Sequence, residues 1–558
     1  MRRVIGSTVV LFVVYMAVGL RQPAPVGLWQ DDGIYVATAE ALARGDGYRH
    51  IELPDQPLQT KYPILYPAML AAVMRACGAG PTDYAILLIP TALGAALLVV
   101  LSVRYWCTRT QPDRAVLIAG AVLAGLSPVI WSHVRFCMSD LVYGAISLAA
   151  LLLLDPIEKS DTNHRGRSHR MWLGAVLAAL AVLTRGVGVT LVAAAVLIPA
   201  WRRRWRRAAS VCIIAAIILT PWYVRQWWAA AENGWLQHAF LYRCDLAYSV
   251  WLPSHPSQVI TTFWQNAFRS MFGVGYFQLA LPRSFVMAGL AAVGWRTVVV
   301  HAICYLASAA ILTGFLIDAR RRWRTVHLYA VLYTLLVLGW PFDPFRFWIP
   351  WTPLMIFWGL SGIKAVAGRV ARLVPAFDPR RTAAGAVVIV AAGVGWLSIS
   401  DDVRIVSSTA AGYYLREAPV DWTERATLMG WLDSHTHPDA VIASAQPAGI
   451  FLATGRRGHY FWPDDDPYRL SYGADRSFAS LYIAPGASEV RFIREQIRDR
   501  LVDVYNRGAI THYVHHAGIN TMSDVLGMWL SSQPSVFARL YTTPAGRYTV
   551  YAYRPARQ

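Results

Sequence analysis

Residues 171–200 read MWLGAVLAALAVLTRGVGVTLVAAAVLIPA, an apolar run of thirty residues with a single charged residue, Arg185. One membrane-spanning helix needs about 20 apolar residues, so this run is too long for one span. Splitting it at Arg185 gives two short spans and places Arg170 and Arg202 on the same side of the membrane. Because basic residues concentrate in cytoplasmic loops, the split predicts a helical hairpin whose tip lies on the outer side.

The composition indicates a protein with many membrane spans. The chain has 558 residues, of which 56% are hydrophobic and 15% charged, whereas soluble domains average about 25% charged. A net charge of +19 would suit a nucleic-acid partner, but the arginines cluster in short segments between apolar runs, such as 202–207 and 320–324. This placement follows the positive-inside rule and argues against nucleic acid. The six cysteines lack the paired spacing of a zinc site, which predicts no structural zinc.

Eleven apolar runs predict an α-helical polytopic protein of the inner (plasma) membrane, with its amino terminus in the cytoplasm. The predicted spans are residues 4–20, 83–103, 115–131, 141–154, 171–184, 187–200, 208–224, 298–317, 326–341, 347–366 and 383–400. This topology leaves a first outer loop at 21–82 and a long outer loop at 225–297.

After residue 400 the composition becomes that of a soluble domain. The chain therefore divides into a transmembrane domain, 1–400, and an extracytoplasmic α/β domain, 401–558. Within the second domain the patterns predict helices at 423–434 and 489–505, strands at 440–444 and 512–514, and a hairpin of strands 537–541 and 548–553.

The first outer loop carries adjacent carboxylates, Asp31 and Asp32, in the stretch WQDDGIY at 29–35. Like charges and lost hydration raise the pKa of a carboxyl group, so at least one of the pair is expected to have a raised pKa. Such a group suits a base or a metal ligand at the lipid–water boundary. Asp-Asp-Gly is also a common turn sequence, and helices favour Asp near their start, so a structural role stands beside the functional one.

Further ionisable residues fall at the outer ends of predicted spans or in the outer loops, namely Lys61, Asp140, Arg185 and Arg346. Burying an ionisable side chain at such a position costs free energy unless the side chain is paired or hydrated. An arginine can alternatively extend its side chain so that the guanidinium reaches the lipid headgroups. Acids beside cations at one membrane face would form a site for a phosphate and a hydroxyl. The cations would hold an anionic donor, and a carboxylate would accept a proton from the acceptor hydroxyl.

The stretches WQDDGIY at 29–35, KYP at 61–63 and RFWIPWTP at 346–353 resemble the C-superfamily (GT-C) membrane glycosyltransferases. The likeness is to bacterial aminoarabinose-transferase and protein O-mannosyltransferase-like (family 39-type) proteins. In these an acidic pair in the first outer loop lies at the active site, and a Lys-Pro motif contacts the lipid phosphate of the donor. This chain departs in having Asp-Asp instead of Asp-Glu, and Tyr62 between the lysine and Pro63.

The resemblance implies a GT-C-like fold and an inverting glycosyltransferase. The donor would be a polyprenyl-phosphate-linked sugar, and the acceptor an envelope glycan, lipid or protein on the outer face. The implied site residues are Asp31, Asp32 and Asp140 for catalysis, Lys61, Arg185 and Arg346 for the donor phosphate, and Tyr35, Tyr62 and Tyr66 as lining residues. No cofactor is required in principle, since clamping the phosphate charge makes it a leaving group, but an acidic pair can also hold a divalent ion.

Two other functions remain open, a transporter or flippase of lipid-linked sugars and a catalytically inactive scaffold with an outer binding domain. Transporters tend to contain internal repeats and helices broken at the membrane midplane. Here the ionisable residues gather at one membrane face and no repeat is visible, which favours the enzyme.

Overall fold

The computed structural model describes residues 2–21, 26–27, 31–110, 112–155, 164–232, 256–279, 295–340, 344–407, 422–459, 505–517, 527–528 and 530–554. The helices are Arg2–Arg21, Asp31–Arg44, Leu65–Cys77, Tyr84–Leu87, Ile89–Arg109, Arg114–Gly125, Pro128–His133, Asp140–Leu154, His164–Thr184, Val189–Trp201, Trp205–Glu232, Pro256–Leu279, Trp295–Arg321, Thr325–Leu338, Thr352–Ala371, Pro379–Ser407, Trp422–His435 and Pro447–Thr454. Short 3-10 helices lie at Gly186–Gly188 and Phe345–Trp351.

The predicted spans coincide with helices. Among the described residues seven helices are long and apolar enough to cross a membrane: Val4–Arg21, Tyr84–Arg109, Arg114–His133, Trp205–Ala229, Thr297–Arg321, Phe345–Ala371 and Pro379–Arg404. The other four predicted spans correspond to shorter apolar helices, Asp140–Leu154, His169–Thr184, Gly186–Trp201 and Thr325–Leu338. The predicted fold class, a polytopic α-helical membrane protein with a carboxy-terminal α/β domain, is confirmed.

The hairpin predicted within 171–200 is present, with its break at Arg185. That residue has an extended backbone, φ −150 and ψ 132, between two helices. Gly188 allows the second helix to pack tightly on the first, because a Cβ atom at this position would lie 2.7 Å from the carbonyl carbon of Ala181. The two short helices therefore pack side by side, and Arg185 lies at the turn between them.

The segment predicted as the long outer loop, 225–297, contains a helix that the sequence pattern does not predict. Helix Pro256–Leu279 packs beside Trp295–Arg321 and the 3-10 helix Phe345–Trp351, where Trp348 Nε1 lies 3.1 Å from Ser270 Oγ. Polar residues such as Asn266 interrupt its apolar run. Asn266 is accommodated by a hydrogen bond, in which its Nδ2 atom donates to the Trp340 carbonyl at 2.5 Å.

The carboxy-terminal domain contains a four-stranded sheet in the order β1-β2-β4-β3, with β1 Ile442–Ser444, β2 His512–His516, β3 Phe537–Thr542 and β4 Tyr548–Tyr553. Strands β1 and β2 are parallel, and the other pairs are antiparallel. The strands and the helix Trp422–His435 match the predicted elements within a few residues. The helix predicted at 489–505 lies outside the described residues apart from its last position. The predicted boundary at 400/401 falls inside helix Pro379–Ser407.

The carboxy-terminal domain packs directly on the segment at residues 26–44. Helix Pro447–Thr454 contacts helix Asp31–Arg44, and the Arg425 guanidinium donates to the Val26 carbonyl at 3.1 Å. Position 27 requires glycine for two reasons. Its φ of +85 lies in the left-handed region, where a Cβ atom is strained, and a Cβ atom there would lie 2.3 Å from the Cα of Gly449. This contact lies immediately before helix Asp31–Arg44, which begins with the two adjacent carboxylates.

Candidate active site

Four distant parts of the chain meet at one cluster of charges. Helix Asp31–Arg44 and helix Asp140–Leu154 each begin with an aspartate, the 171–200 hairpin supplies Arg185 at its tip, and the 3-10 helix Phe345–Trp351 supplies Arg346. An acidic residue in the first turn of a helix is favoured by the partial positive charge of the helix amino terminus. Local helix chemistry therefore helps to fix both carboxylates where the two arginines approach.

Arg346 joins two of the carboxylates. Its Nη1 atom lies 2.6 Å from Asp31 Oδ2, and its Nε atom lies 3.1 Å from Asp140 Oδ2. The arginine side chain is 20% exposed and that of Asp31 22%, so both border the surface of the cluster. Arg346 Nη2 is buried and has no hydrogen-bond partner in the described part of the chain.

Asp140 is the buried centre of the cluster, with a side-chain exposure of 0%. Its Oδ1 atom lies 2.8 Å from Arg185 Nη1. The two groups form an ion pair, but the angles at these atoms are not those of a hydrogen bond. His133 Nε2 lies 3.8 Å from Asp140 Oδ2. The Arg185 guanidinium also lies 5.3 Å from the centre of the Phe347 ring. We call the alternating set Asp31, Arg346, Asp140 and Arg185 the ion network.

Tyrosines cover the Asp31 end of the ion network. The Tyr62 hydroxyl donates to Asp31 Oδ1 at 2.5 Å, and Lys61 Nζ lies 5.2 Å from the centre of the Tyr62 ring. The Tyr35 ring packs edge-on against both Tyr62 and Tyr66, with 5.2 Å between ring centres in each case. All three predicted lining tyrosines therefore lie together, next to Lys61 and Asp31.

The surroundings of Asp31 determine its ionisation. Burial alone would raise the pKa of Asp31, but the positive charges of Arg346 and Lys61 and the hydrogen bond from Tyr62 outweigh it and hold the pKa below its ordinary value. The rise in pKa expected for at least one acid of the pair therefore does not occur at Asp31, because the nearby cations outweigh the effect of its burial. Burial raises the pKa of Tyr35 to about 12, so at neutral pH Asp31 is a carboxylate and Tyr35 keeps its proton.

Asp32 has different surroundings from Asp31. Its side chain is buried, and Oδ2 accepts a hydrogen bond from the backbone N–H of Gly27 at 2.8 Å. Gly27 is the residue on which Gly449 of the carboxy-terminal domain packs. Asp32 thus holds the loop that contacts the carboxy-terminal domain, while Asp31 joins the ion network. No group of three or more His, Cys, Asp or Glu side chains among the described residues is placed to hold a metal ion.

Two residues, Ser139 and Arg225, make polar contacts at the site that the sequence does not predict. The Ser139 hydroxyl lies 3.2 Å from the Tyr35 hydroxyl and 3.3 Å from Arg185 Nη1, which links the tyrosines to the ion network. Arg225 donates to the carbonyls of Gln59 at 2.7 Å and Tyr48 at 2.6 Å, which fixes the segment leading to Lys61. A serine before a helix is a common cap, so Ser139 carries no distinctive sequence signal.

Comparisons with known proteins show similarity at the level of structure. No family model and no curated protein sequence matches the chain. ArnT from Cupriavidus metallidurans bound to undecaprenyl phosphate is 13% identical, with 99% of this chain and 98% of that chain covered and a TM-score of 0.52. For the apo state of ArnT the identity is 14%, the coverage 99% of each chain and the TM-score 0.52.

A further match is the oligosaccharyltransferase AglB from Archaeoglobus fulgidus in complex with an inhibitory peptide and a dolichol-phosphate. It is 12% identical, with 99% of this chain and 74% of that chain covered and a TM-score of 0.46. The ArnT comparisons extend over nearly the whole of both chains, and they show the fold. The chain has the fold of ArnT, and the GT-C-like fold implied by the sequence motifs is confirmed.

Proposed function

We propose that this protein is an integral membrane glycosyltransferase. It moves a sugar from a polyprenyl-phosphate donor to a glycan, lipid or protein acceptor of the cell envelope. The observation that carries the proposal is the ion network, with Lys61 and Tyr62 at its Asp31 end, in a chain with the ArnT fold. The solved ArnT structure contains undecaprenyl phosphate, and we propose a lipid of the same class for this chain.

The charges at the cluster suit an anionic donor. Three cations, Lys61, Arg185 and Arg346, accompany two carboxylates, Asp31 and Asp140, so these five groups together carry one net positive charge. A buried N–H group without a partner is costly, and a phosphate oxygen would satisfy Arg346 Nη2 with a charge-assisted hydrogen bond. Cations on the phosphate also stabilise the charge that develops as it leaves the sugar.

Asp31 suits the acceptor side of the reaction. It is ionised at neutral pH and partly exposed, so its carboxylate can orient an acceptor hydroxyl and take its proton. The hydroxyl oxygen forms a bond to the anomeric carbon from the face opposite the phosphate. The bond from that carbon to the phosphate oxygen breaks, and its electron pair stays on the phosphate. A single displacement of this kind inverts the anomeric configuration.

The remaining predicted residues take supporting roles in this proposal. Tyr35, Tyr62 and Tyr66 line the sugar, Asp140 holds the two arginines, and Asp32 fixes the loop under the outer domain. The amino terminus lies in the cytoplasm, and the reaction takes place on the outer face of the plasma membrane, beside the extracytoplasmic domain.

Mass spectrometry of envelope glycans and lipids from a deletion strain tests the proposal. We expect one sugar modification to disappear, and the wild-type protein to restore it. Arg346→Gln, which removes the positive charge that joins Asp31 and Asp140, should fail to restore it. Asp113→Asn, which breaks the exposed pair with Lys364 (2.9 Å), is the matched control and should restore it. An unchanged envelope in the deletion strain, or full restoration by Arg346→Gln, would contradict the proposal.

A further inference from the structure

Two arginine-rich turns lie side by side at the opposite end of the helices from the ion network. One turn joins helix Val189–Trp201 to helix Trp205–Glu232, and the other joins Trp295–Arg321 to Thr325–Leu338. They are connected by a hydrogen bond from Arg202 Nη2 to the Trp323 carbonyl, 2.5 Å long. We define the arginine surface as the exposed arginines of these turns and their adjoining helix ends: Arg202, Arg203, Arg204, Arg206, Arg320 and Arg321.

One arginine of this surface occupies a backbone position that favours glycine. Arg203 has φ +56, the left-handed conformation in which a Cβ atom is strained. Its N–H donates to the Ala200 carbonyl at 2.9 Å, and the Arg204 N–H donates to the Pro199 carbonyl at 2.8 Å. This is the Schellman arrangement that ends many helices, and its left-handed residue is usually glycine. The backbone conformation therefore does not explain the arginine at position 203. A function of its side chain would explain it.

Two acids that the structure describes next to these turns, Asp318 and Asp155, are engaged inside the protein. Arg324 donates to Asp318 Oδ1, and His327 Nε2 lies 3.0 Å from Asp318 Oδ2. Asp155 accepts from the Tyr105 hydroxyl at 2.6 Å and from the Thr325 N–H at 2.8 Å. Within the part of the chain that the structure describes, no member of the arginine surface forms an ion pair with an acid. Among the described residues, therefore, no acid compensates the positive charge of this surface.

The position of the surface points to lipid as its partner. Trp201 and Trp205 flank Arg202, Arg203 and Arg204 and are 76% and 67% exposed. The candidate spans Trp205–Ala229 and Thr297–Arg321 begin and end at the surface. Tryptophan favours the headgroup level of a bilayer, so these guanidinium groups lie at the depth of the lipid phosphates.

We propose that the arginine surface binds the phosphates of anionic phospholipid headgroups and that this binding stabilises the pair of turns. The positive-inside rule accounts for arginines in these segments. It does not account for an arginine at the left-handed position 203, or for the hydrogen bond that brings the two turns together. This inference concerns the opposite end of the bundle from the ion network and does not depend on the proposed transferase activity.

The test compares thermal unfolding midpoints of the purified full-length protein in detergent, with added phosphatidylglycerol or phosphatidylcholine. A ligand that binds the folded state raises the midpoint. Phosphatidylglycerol should raise that of the wild type, phosphatidylcholine should not, and salt should diminish the rise. Arg203→Gly should fold without loss of stability in the absence of lipid, since glycine suits the left-handed backbone. It should nevertheless need about five-fold more phosphatidylglycerol for the same rise, the effect of about one arginine at an anionic surface.

Arg203→Gly combined with Arg320→Gln and Arg321→Gln should need about a hundredfold more phosphatidylglycerol for the same rise, the combined effect of three arginines. The matched control is Arg380→Gln with Arg381→Gln, which removes exposed arginines from the start of helix Pro379–Ser407 and should keep the wild-type response. An undiminished response in the arginine-surface variants would overturn the proposal. So would an equal loss of response in the control, because any exposed arginine would then serve.

Discussion

Replacing Asp140 by asparagine tests the ion network at its most buried point. The substitution keeps the shape of the side chain and removes its charge. Arg346 retains Asp31 as a partner at 2.6 Å. Arg185 loses its ion pair with Asp140 and keeps the Ser139 hydroxyl at 3.3 Å and the Phe347 ring. The uncompensated charge in the variant is therefore that of Arg185.

The burial of the pair sets the size of the effect. The Asp140 side chain is fully buried and that of Arg185 is 11% exposed. Removing one partner of a buried pair costs about 3–5 kcal/mol, because the other charge stays buried without compensation. Adding Arg185→Gln removes that charge, so the double variant should recover a large part of the loss. The exposed pair of Asp113 and Lys364 contributes about 0–1 kcal/mol, and Asp113→Asn is the control.

The assay is the free energy of unfolding in detergent, measured by denaturant titration for the wild type, Asp140→Asn, the double variant and Asp113→Asn. We expect Asp140→Asn to be the least stable of the four and Asp113→Asn to be close to the wild type. An Asp140→Asn variant within 1 kcal/mol of the wild type would refute the buried ion pair. A double variant no more stable than Asp140→Asn would refute the assignment of the uncompensated charge to Arg185.

Three further predictions concern the donor, the topology and the ionisation of Asp31. Lys61→Ala should weaken binding of polyprenyl phosphate to the purified protein by about ten- to a hundredfold, through loss of one charge-assisted contact. Lys61→Arg should retain part of the affinity. Equal affinities of the wild type and Lys61→Ala would show that Lys61 does not contact the donor. A reporter that is active only in the cytoplasm, fused after Gln558, should be silent, and a strong signal would place the outer domain inside the cell. Because the folded-state pKa of Asp31 is depressed, its ionised form contributes stability above the unfolded-state pKa of about 3.9, and this is lost as the pH falls through the folded-state pKa. The stability difference between the wild type and Asp31→Asn should therefore be constant from about pH 5 to 8 and shrink in more acidic solution, whereas shrinkage already near pH 6 would indicate a raised pKa.

The membrane helices could be predicted because few backbone conformations are stable within a lipid bilayer. Backbone groups in a bilayer must be satisfied within the helix, so apolar runs of sufficient length become helices. The break at Arg185 was predictable for the same reason, since the run around it exceeds one span. Helix Pro256–Leu279 was not predictable in this way. Its polar residues, such as Asn266, are satisfied by carbonyls of a distant segment at Leu338 and Trp340.

The site residues were predicted as a set on one membrane face, but their pairing was not. Arg346 is 315 positions from Asp31 and 206 from Asp140, and no local pattern indicates that one guanidinium joins both. The sequence shows Asp32 next to Asp31 and therefore favours a raised pKa for at least one of the two carboxyl groups. The fold instead brings Arg346 and Lys61 to Asp31, and their charges lower it. The pKa of Asp31 is thus set by contacts that form only when the chain folds, although the sequence identifies Asp31 itself as a site residue.

The most direct test of the proposed activity is the release of polyprenyl phosphate from its glycosylated form by the purified protein in detergent. Detergent leaves no second compartment, so transport alone cannot produce this signal. We predict time-dependent release by the wild type in the presence of a mixture of acceptors, and a rate lower by about 10²- to 10⁴-fold for Asp31→Asn, the usual contribution of a general base. No release by the wild type, together with movement of the same lipid across a reconstituted bilayer, would contradict the transferase and favour a flippase.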